Sequence, residues 1–336
     1  MQHATRLWIV LLVVGLLVLA VVSLGLGRYS LDPLTVIRVL AGQFINIPAT
    51  WPLTAETVIL EIRLPRILGA LLVGAALASS GAAYQTMFRN PLVSPEILGV
   101  TAGAGFGASV SILLGLPLGV QQVMAFLFGL LAAVLALAIG RIVGGMSPIV
   151  LVLGGIVIGA MFGALISTTQ YFANPETTLP AITFWLFGSL GRATMGSLLL
   201  PTIIVVVCLV AIYAVRWPLT VLATGEDQAR ALGIDRTMVW AIVIGASTLM
   251  TATVVSLAGI IGWVGLVIPH LARFTVGPLF NRLLPASTLI GAGYLLAIED
   301  VARSATSLDL PLGILTALIG APFFVALLVK AGRQWL

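Results

Sequence analysis

Glu299 and Asp300 stand side by side at the end of an apolar stretch, with Arg303 three residues further on. Acids at the edge of a membrane-like run are what a proton relay in an ion-coupled transporter would use. The i,i+3 spacing from Asp300 to Arg303 suits a local helix ion pair equally well. His3 and His270 are the only histidines, and zinc or haem sites gather several convergent ligands. His270, in Val267-Ile268-Pro269-His270, therefore reads as a polar group at a helix end. Cys208, the single cysteine, can form no internal disulfide and reads as a small buried hydrophobe. A P-loop needs Lys in GxxxxGK[ST], and the only lysine, Lys330, follows Val329. The chain is thus expected to carry no ATP motor of that kind, no catalytic residues and no cofactor or metal.

One soluble-looking segment remains, running from Leu222 through Thr224, Gly225, Glu226, Asp227, Arg230, Ala231, Leu232 and Gly233 to Asp235. Thr224 with Asp227 resembles a capping box, and acids at 226 and 227 suit the positive end of a helix dipole. Gly233 is a natural stop. The segment is expected to be a short helix in an exposed loop.

The elements that hold these residues are set by composition. The chain has 336 residues, 60% of them hydrophobic and 8% charged. A soluble domain is roughly 25% charged, so lipid must solvate most of this surface. Sixteen basic residues spread over the whole chain make no phosphate-binding stripe, and no nucleic-acid partner is expected. At about 20 residues per span, the apolar runs supply ten transmembrane helices. They are expected at 7–26, 67–88, 97–116, 120–142, 149–168, 198–214, 238–257, 260–274, 284–298 and 312–329. The first run is long enough to span and lacks cleavage chemistry, so it reads as a helix rather than a leader. Asp32-Pro33 opens a short amphipathic surface helix. With the amino terminus inside, ten basic residues fall in cytoplasmic loops and six outside, which favours both termini cytoplasmic. The outside six are Arg28, Arg38, Arg63, Arg66, Arg192 and Arg303.

Glycine spacing adds a further signal. Gly155, Gly159 and Gly163 recur every four residues, as close helix packing in a membrane requires. Pro91, Pro95, Gly99, Gly103, Gly105 and Gly107 interrupt one short span, while Gly262, Gly265 and Pro269 interrupt another in the second half. Broken spans at corresponding places in two halves point to a transport path.

Several stretches carry a family resemblance. They are Glu61-Ile62-Arg63-Leu64-Pro65-Arg66, Phe88-Arg89-Asn90-Pro91-Leu92 with Leu98-Gly99-Val100, and Phe184-Trp185-Leu186-Phe187-Gly188-Ser189. To these are added Gly225-Glu226 with Ala231-Leu232-Gly233, then 262–270 from Gly262-Trp263 to Pro269-His270, and Leu318-Ile319-Gly320-Ala321-Pro322-Phe323-Phe324. In this order they resemble FecCD-type permeases, the membrane subunits of binding-protein-dependent ABC importers for iron chelates, haem and cobalamin.

The resemblance implies an all-α integral membrane protein of type II importer architecture, with residues 1–336 forming one permease domain. It implies a homodimer with a path on the two-fold axis, two separate ATP-binding cassette ATPase subunits below, and a periplasmic or lipid-anchored solute-binding protein above. The setting it implies is a bacterial or archaeal cytoplasmic membrane. Residues 224–234, with Thr224, Gly225, Glu226, Asp227, Arg230, Ala231, Leu232 and Gly233, would couple to the ATPase. Asn90, Pro91 and Leu92, with Met146 and Ser147, would form the cytoplasmic gate. Arg63, Arg66 and Arg303 would meet acids of the binding protein; the alternative is local pairing with Glu61 and Asp300. Iron–siderophore complexes or haem are the expected cargo, with cobalamin and molybdate-type oxyanions as alternatives. Another class of reading, an ion-coupled secondary transporter, would use Glu299 and Asp300.

Overall fold

The computed structural model describes residues 2–45, 48–143, 147–306 and 308–335, and side chains from 7 to 326 within those limits. Among them the chain is helical, without strands. In order the helices are α1 (Gln2–Gly25), α2 (Pro33–Gly42), α3 (Leu53–Met87), α4 (Val100–Leu113), α5 (Leu118–Ile142), α6 (Pro148–Tyr171) and α7 (Thr178–Leu186). Then come α8 (Met195–Ala214), α9 (Arg216–Thr224), α10 (Glu226–Ala231), α11 (Arg236–Ala258), α12 (Val264–Val276), α13 (Phe280–Ser304) and α14 (Leu312–Trp335).

Each expected span contains a helix, but the lengths differ. Seven helices among the described residues are long and apolar enough to cross a membrane: α1, α3, α5, α6, α8, α11 and α13. The two spans flagged as broken are short. α4 has 14 residues and follows a 3-10 turn at Pro95–Leu98, and α12 has 13. Conversely α3 begins at Leu53, well before the expected 67, through a π-helical turn at Val58–Arg63. At 1.5 Å per residue this helix is roughly 50 Å long, so its first turns project beyond a hydrocarbon layer of about 30 Å.

α3 and α11 lie at the centre, buried along most of their length, while α1, α6 and α8 turn most of their apolar surface outward. Such an all-round apolar exterior suits lipid. The centre is close because glycines face each other. A Cβ on Gly74 would stand 2.2 Å from the carbonyl oxygen of Gly291 in α13, and one on Gly81 1.9 Å from that of Gly265 in α12. Of the four-residue repeat in α6, Gly155 is pressed against the Ile97 carbonyl, while a Cβ on Gly163 would meet nothing within 4 Å.

α1 runs parallel to α13, since Ser23 meets Asp300 and Leu16 packs over Gly293. The start of α14 is tied to the ends of α7 and α13 by Gly313 N–H to Phe187 O, Leu312 N–H to Gly188 O and Leu310 N–H to Ala302 O. Gln2 and Trp335, the first and last described residues, therefore lie at the end of the molecule that holds Arg89, opposite the end that holds Asp309.

Candidate functional sites at the two ends

At the Arg89 end, α9 stops at Thr224, Gly225 adopts an extended backbone (φ 171°, ψ 144°), and α10 starts at Glu226. The expected capping box does not form. The Thr224 hydroxyl donates instead to Val221 O (2.8 Å) and lies 2.9 Å from Gln228 Oε1, because extended Gly225 separates it from the α10 amides. Gly233 does stop the helix, with φ 72°. Ala229, Leu219 and Leu222 are buried, whereas Glu226, Asp227, Arg230 and Leu232 are exposed. Glu226 pairs with Arg236 at 3.0 Å, and the Arg236 guanidinium lies 4.3 Å from the Trp240 ring centroid. Trp240 in turn meets Phe88 edge-on at 5.8 Å.

The turn after α3 is built by Asn90, whose side chain accepts the Leu92 N–H at 2.9 Å. Asn90, Pro91 and Leu92 are exposed, and Ser147 caps α6 by accepting the Val150 N–H at 3.3 Å. Met146 lies outside the described residues. A cavity of about 140 Å³ is enclosed by Met87, Phe88, Arg89, Pro148, Leu222, Glu226 and Trp240, so it borders both turns and α10. His270 lines a neighbouring cavity with Arg89 and Arg273 and contacts the Phe274 ring at 5.1 Å.

At the Asp309 end, three guanidiniums are enclosed. Arg63, Arg66 and Arg303 are each less than a tenth exposed. Arg66 Nε donates to Glu299 at 2.5 Å and its Nη1 to Asp309 at 2.8 Å. Arg303 pairs with Asp300 and with Ser23, and Arg63 donates to the carbonyls of Leu24 (2.6 Å) and Tyr29. Burial of such charges is tolerable because each acquires a partner. Exposed arginines at this end are Arg28, which pairs with Asp309 at 2.7 Å, Arg38 and Arg192.

Between the ends, the broken segments meet. Pro95 packs on Gly265, and the Glu96 carboxylate lies beside Gly262. Gly262 also lines an open apolar cavity of about 500 Å³ with Phe187, Trp263, Gly313, Ile314 and Leu318.

The model of the FecCD transport family matches residues 15–330. The chain belongs to the FecCD transport family. The permease is 40% identical to the molybdate import system permease protein MolB of Haemophilus influenzae, over 95% of this chain and 94% of that one. A probable iron chelatin transport system permease of Helicobacter pylori is 39% identical, over 81% and 82%. A solved transporter described as of metal-chelate type, in an inward-facing conformation, superposes with a TM-score of 0.86 at 39% identity, covering 97% of this chain and 99% of that one. The permease is therefore a multi-span membrane subunit of an ABC importer with type II architecture, and it works with ATPase and solute-binding subunits.

In this permease the residues expected at the coupling loop sit together on one exposed segment, and the cavity beside it is lined by Arg89 and Pro148, the chain neighbours of Asn90 and Ser147. The docking arginines are a different matter. The three guanidiniums expected to meet acids of the binding protein are buried in this protomer, because Asp309, Glu299, Asp300 and backbone carbonyls already engage them. The alternative pairing holds for Asp300 with Arg303, while Arg63 bonds to carbonyls and leaves Glu61 exposed. Sequence reasoning missed Asp309, which sits in a loop with no local spacing signal. It also missed Arg236 and Trp240, whose i,i+4 spacing was legible.

Proposed function

We propose that the permease imports a metal chelate with an organic shell, handed over by a solute-binding protein and driven by two ATPase subunits on a homodimer. The observation that supports the cargo class is the apolar lining of the 500 Å³ cavity, which among the described residues carries no charged side chain, Glu96 reaching only its edge beside Gly262. A bare oxyanion loses its hydration in such a place, and polar groups are costly to bury without partners. The iron chelatin relative agrees with this reading. Molybdate is the second reading, favoured by the 40% identity with MolB across nearly the whole chain.

In this reading the Arg89 end faces the cytoplasm, as the excess of basic residues in its loops supports. Residues 224–233 receive the ATPase, and the Asn90-Pro91-Leu92 turn with Ser147 closes the path. The Asp309 end faces the binding protein. Arg63, Arg66 and Arg303 would act there from beneath the surface, holding the loops that carry Arg28 and Asp309.

Uptake by vesicles containing permease, ATPase and binding protein tests the cargo. The chelate reading expects ATP-dependent uptake of ferric chelates, and molybdate uptake with no ferric-chelate uptake would replace it. Uptake driven by a proton gradient without ATP would remove the importer mechanism altogether.

A further inference from the structure

We infer that Arg89 is the positioning residue that links the ATPase-coupling segment to the cytoplasmic gate, through its hydrogen bond to the Leu222 carbonyl. The inference rests on the proposed roles of α10 and the 90–92 turn, and deepens them. Arg89 is the residue immediately before that turn, and its Nη2 donates to Leu222 O two residues before α9 ends. The last carbonyls of a helix have no partner within it, and a cation there meets the negative end of the dipole. The bond is thus charge-assisted and fixes the turn to α9 rather than to its own helix.

Two further observations single out this position. Arg89 holds φ 51°, a left-handed conformation that side chains other than glycine's rarely adopt and that costs energy wherever it persists. Glycine would satisfy that backbone more easily, so the side chain must repay the strain. The connection is also a closed ring. Glu226 bonds Arg236, Arg236 lies over Trp240, Trp240 meets Phe88, and Arg89 returns to Leu222. The ring borders the 140 Å³ cavity, which Pro148 beside Ser147 also lines, so a displacement of α9 and α10 reaches both turns. The aromatic and ionic side of the ring sets spacing, and the Arg89 bond supplies a charged, directional contact between α9 and the residue that opens the 90–92 turn.

The test uses the whole complex in vesicles and reads cargo moved per ATP hydrolysed. Arg89→Gly frees the backbone and removes the guanidinium, Arg89→Ala removes only the guanidinium, and Arg89→Lys keeps a cationic donor. The first two should lower the transport-to-hydrolysis ratio by about tenfold, as loss of a charge-assisted hydrogen bond allows, and Lys should restore part of it. Spin labels at Leu92 and Leu232 add a structural readout. In Arg89→Gly, nucleotide should still move the label at 232 and no longer move the one at 92. If Arg89→Gly transports with the parent's ratio, the link is wrong. Glu226→Arg separates the causes: if it uncouples while Arg89→Gly does not, only the link falls, and if neither uncouples, the coupling role of α10 falls with it.

Discussion

Arg66 and Glu299 form a buried ion pair between α3 and α13, Nε to Oε1 at 2.5 Å, at the place where an acid was available for proton transfer. The acid is committed to a cation, and Asp309 engages the other side of the same guanidinium. Removing one member of a buried pair typically costs about 3–5 kcal/mol. Glu299→Gln should therefore lower the thermal unfolding temperature in detergent. ATP-driven uptake per folded complex should persist and should ignore an ionophore that collapses the proton gradient. Loss of uptake at unchanged stability would favour the relay.

On the proposed orientation, docking of the binding protein at the Asp309 end would fall to the exposed groups. Arg28→Glu with Arg192→Glu should weaken association with the binding protein, and the defect should shrink as salt screens charges over a Debye length of roughly 8 Å. Arg66→Glu should instead cost yield of folded protein, because it sets an acid against Glu299 and Asp309. Titration of binding protein at two salt concentrations checks the first, and size-exclusion yield the second. A folded Arg66→Glu permease with a salt-sensitive docking defect would return the buried arginines to the interface.

The glycine contacts predict a sharp contrast. Gly74→Val and Gly81→Val each drive side-chain carbons into a carbonyl of the facing helix, where overpacking costs about 1–3 kcal/mol or more. Gly163→Ala meets open space within the protomer and should leave its melting temperature within error. Melting curves of the three variants decide it.

Glu226→Arg separates function from folding. The pair with Arg236 is exposed on both sides, and such pairs contribute about 0–1 kcal/mol. The variant should melt with the parent, yet copurify less ATPase or hydrolyse ATP without transport. Unchanged assembly, hydrolysis and uptake would remove α10 from the coupling surface.

Leu92→Ala should raise passive cargo leak through reconstituted complexes, because Leu92 is half exposed on the turn assigned to the gate. Leak equal to the parent's would place the closure elsewhere.

Much of the architecture was legible because apolar run length translates directly into helices, and each of the ten runs houses one. The start of α3 was not, since Glu61, Arg63 and Arg66 look like a polar stretch ahead of the apolar run at 67–88. Their helix continues because its buried arginines find partners on α1, α13 and the loop before α14, which one-dimensional spacing cannot display. The broken spans were readable from Gly and Pro, but their mutual contact at Pro95 and Gly265 depends on the whole fold. At the Arg89 end the coupling segment was visible as a polar island. Its Thr224 cap was misread because a glycine's extended backbone leaves no local trace in composition.

α4 and α12 are each about 20 Å long, some 10 Å less than the hydrocarbon layer they sit in. Beside them run Pro95–Leu98 and residues 259–263, whose peptide dipoles do not all align along a helix axis. Peptide dipoles off a common axis do not sum to a macrodipole, so their field stays local. A solute passing these segments would meet unaligned peptide groups together with the Glu96 carboxylate beside Gly262.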